Sequence, residues 1–409
     1  DAVVPQVSSV DLPANGSYKV GDVLSFTINT SEGVVVDTFG GTPRLALTVG
    51  GVTRYATYVS GAASGALVFQ YTVQSGDTAS GGISVNGSLD LNGGHVNDSA
   101  GNALNLSLGA VGNTSGVLVD TTTPYATSIT RVDATPNNSV SVSYTVTFSE
   151  NVRNVDASDF NLIFGGSVVG TIESVTAVDG QTFTVKVSGL TGTGTLRLDL
   201  RPGTDIADVA GNQVPGGRVG VNYSIDRDAP SVIGVDVPTN GTYVAGQNLD
   251  FTVHLSENVQ LNTSGGSPRL EVLLDNGQTA WAEYLSGAGT SALMFRLTVI
   301  TGQLDTSGIT VGNTIQLNGA TLRDSVGNDA QLGLNGLAPT DGVLVDAVAP
   351  VVSSVVSPAD GRYKAGDVLS FSVHASEDLL LSGSPRLVLD IGGATRYAAL
   401  VPGGNSSIL

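Results

Sequence analysis

The segment Val23-Leu24-Ser25-Phe26-Thr27-Ile28-Asn29 alternates apolar and polar side chains over its whole length. Successive side chains of a β-strand point to opposite faces, so this period of two predicts a strand with one buried face. Residues 44–49 and 53–59 alternate in the same way, and Gly50-Gly51 between them suits a tight hairpin turn. This part of the chain therefore predicts antiparallel β-structure.

The same pattern extends over the first 122 residues. Residues 6–11, 67–73, 83–85 and 117–119 are further short apolar or alternating segments, separated by turn-forming residues. Together these segments give about seven short strands, a number and spacing typical of an antiparallel β-sandwich. Since helical periodicity is missing, the expected fold class is all-β.

A second pattern divides the chain into repeats. An Asp-x-x-Gly-Asn loop, an apolar strand and an acidic residue shortly before a proline occur in this order three times. The loops are residues 98–102, 208–212 and 324–328, and the prolines are Pro124, Pro230 and Pro350, with Pro5 at the matching place. We therefore predict an extended rod of four domains: repeat 1 (residues 1–122), a shorter, divergent repeat 2 (123–228), repeat 3 (229–348) and a partial repeat 4 (349–409).

The amino-acid composition excludes several kinds of site and partner. The 409 residues include no Cys, which excludes disulfides and thiolate metal sites. A net charge of −19 argues against nucleic acid as a partner, because nucleic-acid binding needs a basic surface. We find neither an apolar run long enough to cross a bilayer nor a signal peptide. We expect an interior segment of a longer exported chain, with the export signal outside it and no membrane insertion.

The strand order predicts where the acidic residues meet. If the first strand of a repeat runs down from the incoming linker, the second runs up and ends at a Ser-Glu pair beside that linker. The last strand leaves at the bottom, so the Asp-x-x-Gly-Asn loop before it also lies at the top. Linker, Ser-Glu pair and loop should therefore meet at each junction. The candidate metal ligands are Asp1, Glu32, Asp98, Asn102, Asp120, Glu150, Asp208, Asn212, Asp226, Asp228, Glu257, Asp324, Asn328, Asp346 and Glu377.

Several carboxylates in one small volume repel each other unless a cation neutralises them. No Lys or Arg recurs at these positions, and the set contains neither His nor Cys, which disfavours zinc and copper. An all-oxygen set suits Ca²⁺, so we predict calcium at the interdomain junctions. The competing interpretation is structural, since Asp and Asn in Gly-containing loops also cap ordinary turns.

The ordered Ser-Glu, Asp-x-x-Gly-Asn and Asp-before-Pro phrases resemble those of the immunoglobulin-like, cadherin-like tandem repeats of large bacterial surface and biofilm adhesins. The resemblance covers essentially the whole chain. It implies immunoglobulin-like sandwiches exported to the cell surface, commonly made rigid by Ca²⁺. The function it implies is an extracellular stalk that holds an adhesive tip away from the cell, with neighbouring repeats of the same chain as partners.

Two other functions remain open. The chain could be a surface-layer or filament subunit whose incomplete last repeat is completed by another copy, which predicts concentration-dependent polymers in the electron microscope. It could also be a carbohydrate-binding module of an exported enzyme, with Trp281, aligned with Arg54 and Arg396, as an exposed stacking residue. No nucleophile motif accompanies the many serines, so we do not expect an enzyme.

Overall fold

The computed structural model describes residues 2–275, 277–401 and 407–409. The regular secondary structure of these residues consists of short strands, apart from the single 3₁₀ turn Ala157–Asp159, which is the only helical segment among them. The described residues thus include no helix that could span a bilayer. The predicted all-β, immunoglobulin-like sandwich class is confirmed.

Repeat 1 contains eleven strands in three sheets. The large sheet has the order β1-β3-β7-β6-β5-β9, and two small sheets, β2-β11-β8 and β10-β4, complete the repeat. One pair departs from the expected antiparallel pattern, because β11 runs parallel to β2. The strands are β1 (Val7–Asp11), β2 (Gly16–Tyr18), β3 (Val23–Thr30), β4 (Val34–Asp37), β5 (Arg44–Val49), β6 (Val52–Ser60), β7 (Ala66–Thr72), β8 (Thr78–Ala79), β9 (Ser84–Asp90), β10 (His95–Asp98) and β11 (Val117–Asp120).

The alternation of apolar and polar residues along β3 explains which face of this strand is buried. Leu24, Phe26 and Ile28 are fully buried, while the polar residues between them face outward. They pack with apolar residues of β5, β7 and β11 into one core that belongs to repeat 1 alone. Burying apolar side chains is the main favourable contribution to folding, so the period of two determines which face of the strand turns inward.

Repeat 2 is built more simply, from a four-stranded sheet β12-β13-β16-β15 and a three-stranded sheet β14-β17-β18. Its core is separate and contains Tyr144 and Tyr223, whose rings meet edge to face with centroids 5.1 Å apart. The strands are β12 (Ala126–Arg131), β13 (Ser141–Phe148), β14 (Phe160–Gly166), β15 (Val169–Ala177), β16 (Thr182–Thr191), β17 (Gly194–Leu200) and β18 (Arg218–Ile225).

Repeat 3 returns to the arrangement of repeat 1. Its large sheet has the order β19-β21-β25-β24-β23-β27, and the small sheets β20-β29-β26 and β22-β28 complete it around a core of its own. The strands are β19 (Val232–Asp236), β20 (Gly241–Tyr243), β21 (Asn248–Leu255), β22 (Gln260–Asn262), β23 (Arg269–Leu273), β24 (Thr279–Ser286), β25 (Ala292–Thr298), β26 (Leu304–Asp305), β27 (Thr310–Val311), β28 (Thr321–Arg323) and β29 (Val343–Asp346).

Repeat 4 has two pairs of strands, β30 (Val352–Val356) with β31 (Ser372–Ala375), and β32 (Arg386–Ile391) with β33 (Ala394–Ala399). His374 of β31 also pairs with Ile408, just as His254 pairs with Ala292 in repeat 3. By compactness the chain divides into two units, Asp1–Asp228 and Ala229–Leu409.

The sequence alignment of Trp281 with Arg54 is wrong. Trp281 stands opposite Glu271 across the hairpin, as Tyr55 stands opposite Ala46, so its counterpart is Tyr55. The hairpin that leads into β24 is one residue longer than the hairpin around Gly50-Gly51. An alignment made by counting residues is therefore displaced by one position. The guanidinium of Arg269 lies over one face of the Trp281 ring, 3.8 Å from its centroid.

Candidate metal centre

Three carboxylates of the first unit come together where repeat 1 ends and repeat 2 begins. Asp120 is the last residue of β11, Glu150 follows β13, and Asp208 lies in the loop before β18. One carboxylate oxygen from each residue lies within 4.8 Å of the other two. Two oxygens bound to one Ca²⁺ at about 2.3–2.6 Å are at most about 5 Å apart, so this spacing fits a shared cation.

Glu150 is the member of this cluster with an unsatisfied atom. Its Oε1 is buried and accepts no hydrogen bond from any of the described residues. Burial raises the pKa of the Glu150 carboxyl, and the charges of Asp120 and Asp208 raise it further. In the described part of the chain, no Lys, Arg or His nitrogen lies within 4.0 Å of the three carboxylates. A buried oxygen without a donor, beside two further carboxylates, is an arrangement that a bound cation would satisfy.

The loop that carries Asp208 is held by its own asparagine. The Asn212 amide N–H donates to Asp208 Oδ1 and its side-chain Nδ2 donates to Oδ2, both at 2.8 Å. Gly211 between them has φ of +89°, a conformation that favours glycine. Matching Asn-to-Asp bonds occur in the other two loops, in Asp98 with Asn102 and in Asp324 with Asn328.

The serine of each Ser-Glu pair holds the incoming chain. Ser149 Oγ accepts from the Tyr125 amide at 3.1 Å, and the Ser149 amide donates to the Tyr125 carbonyl at 2.9 Å. Tyr125 directly follows Pro124, so the bond pins the linker next to Glu150. The other three repeats make the same pair of bonds, at Ser31 with Gln6, Ser256 with Ser231 and Ser376 with Val351. Sequence reasoning used only the glutamate, although the serine recurs in all four pairs.

We expect Ser149→Ala to loosen this attachment, because the Tyr125 amide loses its acceptor. A lost hydrogen bond of this kind costs about 1 kcal/mol, so exchange of the Tyr125 amide should become about five-fold faster. Hydrogen exchange resolved to single residues measures the exchange rate of the Tyr125 amide. Ser174→Ala, at an exposed position of β15, is the matched control. Equal exchange in both variants would show that the Ser149 hydroxyl does not hold the linker.

The linker is also tied to the repeat that it leaves. Thr121 Oγ1 donates to the carbonyl of Asp77 at 2.9 Å and accepts from the Gly76 amide at 3.1 Å. At the end of repeat 2, Thr193 Oγ1 accepts from the Arg227 amide at 2.9 Å. Asp120 is thus held by repeat 1, whereas Glu150 and Asp208 belong to repeat 2. A cation on all three would join two repeats that are otherwise connected by the linker and local contacts.

The remaining predicted ligands are placed as follows. Asp1 lies outside the described residues, so the set of repeat 1 is represented by Glu32, Asp98 and Asn102. Hydrogen bonds from the Asn102 side chain and backbone, acting against burial, hold the pKa of Asp98 below its ordinary value. In the second unit, carboxylate oxygens of Glu257 and Asp324 lie within 4.8 Å of each other.

Asp226 and Asp228 both lie at the end of the first unit, where Thr193 Oγ1 donates to Asp226 Oδ1 at 3.3 Å and accepts from the Asp228 amide at 3.2 Å. Asp346 is the last residue of β29, as Asp120 is of β11, and Glu377 follows Ser376. Residues 349–409 contain no Asp-x-x-Gly-Asn loop.

Comparison with known proteins gives only distant likeness. No protein-family model and no curated protein matches the chain. Among solved structures, FdeC, an Escherichia coli adhesin, is 13% identical over 82% of this chain and 98% of its own, with a TM-score of 0.34. Domains 1–6 of the surface-layer protein SbsC are 13% identical over 98% of this chain and 63% of their own, with a TM-score of 0.16. A marsupial T cell receptor is 8% identical over 81% of this chain, with a TM-score of 0.25. At these values the likeness carries no inference about function.

Proposed function

We propose that the chain is an extracellular stalk segment of a bacterial surface adhesin, in which bound Ca²⁺ stiffens the junctions between repeats. The observation that supports this most directly is the cluster of Asp120, Glu150 and Asp208 with its unsatisfied Glu150 oxygen. The resemblance of the repeated phrases to bacterial adhesin repeats points to the same role.

The residues present suit the proposed ion. All three side chains offer hard oxygen ligands, and the backbone carbonyl of Asp120, which accepts from Asn212 Nδ2 at 2.9 Å, is a further oxygen in the same region. Their combined charge opposes close approach without a cation and favours it with one. Zn²⁺ and Cu²⁺ prefer sites that include His or Cys, which this cluster does not contain.

Such a junction would act mechanically. Each linker could rotate freely if only its own backbone restrained it, and a row of free joints would let a stalk collapse. A cation held by Asp120 of repeat 1 and by Glu150 and Asp208 of repeat 2 restrains the rotation from both sides. Stiffness would then depend on the Ca²⁺ concentration, which is in the millimolar range outside cells and suits modules with dissociation constants of about 10⁻⁴–10⁻³ M.

Thermal unfolding together with small-angle X-ray scattering tests the proposal on the whole chain. We expect excess chelator to lower the melting temperature and to shorten the largest dimension relative to millimolar Ca²⁺. Mg²⁺ at the same concentration is the control, because it binds flexible carboxylate sites less readily. If the two curves and the two dimensions coincide with and without Ca²⁺, the acidic loops are ordinary turns and the proposal fails.

A further inference from the structure

Besides the linker, a lysine connects repeat 1 directly to the metal-loop region of repeat 2. Lys19 Nζ donates to the carbonyl oxygen of Gly211 at 3.1 Å, across 192 residues of sequence. Gly211 belongs to the same loop as Asp208 and Asn212. A Cβ added at Gly211 would lie 3.5 Å from Lys19 Nζ and 3.8 Å from its Cδ, so the lysine stem packs over this glycine.

The turn that presents Lys19 is preformed by repeat 1. The Lys19 amide donates to Asp22 Oδ2 at 2.9 Å, and the Asp22 amide donates back to the Lys19 carbonyl at 3.1 Å. The Gly21 amide bonds to the carbonyl of Val73, which fastens the turn beside the end of β7. Lys19 is half-buried. The backbone that carries the Lys19 side chain is therefore held in place by its own repeat.

We propose that Lys19 is a cation-independent clasp, which keeps repeats 1 and 2 aligned when Asp120, Glu150 and Asp208 hold no divalent ion. The inference rests on the proposed calcium junction only for its comparison with the cation-bound state. A hydrogen bond from an ammonium to a carbonyl needs no metal and is stronger than one between neutral groups. The clasp and the proposed cation act on the same loop, so either one restrains it.

The other repeats vary at this position. Repeat 3 has the same turn, with Val244 bonded through its amide to Gln247 Oε1, but valine offers no side-chain donor. Repeat 4 has the lysine again: the Lys364 amide donates to Asp367 Oδ2 at 2.8 Å, and the Lys364 side chain is exposed. Among these three turns, the observed side-chain contact to an Asp-x-x-Gly-Asn loop is that of Lys19.

Distance measurements between the two repeats test the clasp. The chain contains no Cys, so spin labels attached through Gln70→Cys on β7 and Thr176→Cys on β15 report a single distance between exposed strand positions. Double electron–electron resonance is recorded for the full chain and for Lys19→Met, each in excess chelator and in saturating Ca²⁺. Lys19→Met keeps the apolar stem and removes the donor.

In chelator, we expect Lys19→Met to enlarge the fraction of molecules outside the main distance peak by about five-fold, the effect of one lost hydrogen bond. In Ca²⁺ both proteins should give the same narrow distribution. Lys19→Arg, which restores a donor, should return the chelated distribution towards that of the unmodified chain. Lys186→Met makes the same charge change at a surface ion pair with Glu173 and should change nothing.

Equal distributions for Lys19→Met and the unmodified chain in chelator would overturn the clasp. The proposed calcium function fails separately, if Lys19→Met, which lacks the clasp, gives the same distribution with and without Ca²⁺. Thermal unfolding checks that Lys19→Met is folded, which we expect because a donor at the edge of the repeat adds little to its own core. The comparison of Lys19→Met with the unmodified chain in chelator tests the clasp independently of the result with Ca²⁺.

Discussion

Replacing Glu150 with glutamine should raise the melting temperature of repeat 2 in excess chelator and lower it in saturating Ca²⁺. Without a cation, the Glu150 carboxylate is partly buried beside Asp120 and Asp208, and the raised pKa of its carboxyl reflects this unfavourable ionised state. Glutamine removes the repulsion. With Ca²⁺ bound, the same change removes a charged ligand, so the cation stabilises the native state less.

We expect each shift to be about 2–5 °C, in opposite directions. Differential scanning calorimetry in the two buffers measures both. Glu173→Gln is the matched control, because Glu173 is an exposed glutamate of the same repeat that pairs with Lys186 at 2.9 Å on the surface. A surface pair of this kind contributes little. Shifts of the same sign in chelator and in Ca²⁺ for Glu150→Gln would show that the residue is structural and not a ligand.

The second large effect is expected at Asp77 of repeat 1. Its buried carboxylate accepts from Arg54 Nε at 2.8 Å, from the Gln74 amide at 2.9 Å and from the Tyr71 hydroxyl. Burial alone would raise the pKa of the Asp77 carboxyl, but the bonds from Tyr71, Gln74 and Arg54 together hold it below its ordinary value. Burial, followed by the bond to Asp77, raises the pKa of Tyr71 to about 12, so its hydroxyl remains a donor.

We expect Asp77→Asn to lower the free energy of unfolding of repeat 1 by about 2–3 kcal/mol, because Arg54 and Tyr71 lose an ionised acceptor. Chemical denaturation, with hydrogen exchange of β7 as the readout, measures this free energy of unfolding. Asp90→Asn is the control: Asp90 pairs with Arg44 at 2.7 Å but is 40% exposed, and its loss should cost under about 1 kcal/mol. Equal costs for the two variants would contradict the argument from burial.

The pH dependence follows from the same residue. The native pKa of Asp77 is lowered, so its stabilisation is complete above the unfolded-state pKa of about 4 and is lost as pH falls through the lower native value. The stability of repeat 1 should therefore fall steeply below about pH 4. In Asp77→Asn, the stability of repeat 1 should decrease less steeply below about pH 4.

Repeat 3 supplies a natural control for this network. The register places Ala280 at the position of Arg54 and Leu297 at that of Tyr71, and Gln303 replaces Asp77. Gln303 Oε1 accepts from the Ile300 amide at 2.9 Å, as Asp77 accepts from the Gln74 amide. The three positions thus differ together between the repeats. Changing all three in repeat 1 to the residues of repeat 3 should restore most of the stability that Asp77→Asn removes.

The sequence could predict the long strands of repeat 1 but few of the short ones, of which β11 (predicted as residues 117–119) is an example. β3, β5 and β7 contain six or more residues, enough for the period of two to be recognised. The short strands β2, β4, β8 and β10 contain two to four residues and depend on partners far along the chain, so their local pattern is ambiguous. The parallel pairing of β2 with β11 also depends on a contact about 100 residues away and could not be predicted from either segment.

For the candidate site, the expected strand order was enough to predict that Asp120, Glu150 and Asp208 lie close together. The bonds that hold them there could not be predicted, because they join side chains to backbone groups whose positions depend on exact register. Ser149, Thr121 and Lys19 are examples. A recurring serine before the glutamate was the one signal present in the sequence, whereas a lysine that contacts a glycine carbonyl 192 residues away leaves no local pattern.

The most direct test of the calcium junction is isothermal titration of the whole chain with Ca²⁺, compared with Asp208→Asn. Asp208 is buried and contributes its carboxylate to the cluster, so we expect the variant to lose one binding site or to bind there at least about ten-fold more weakly. Glu173→Gln should titrate like the unmodified chain. No binding heat for the unmodified chain, or an identical titration for Asp208→Asn, would contradict the account.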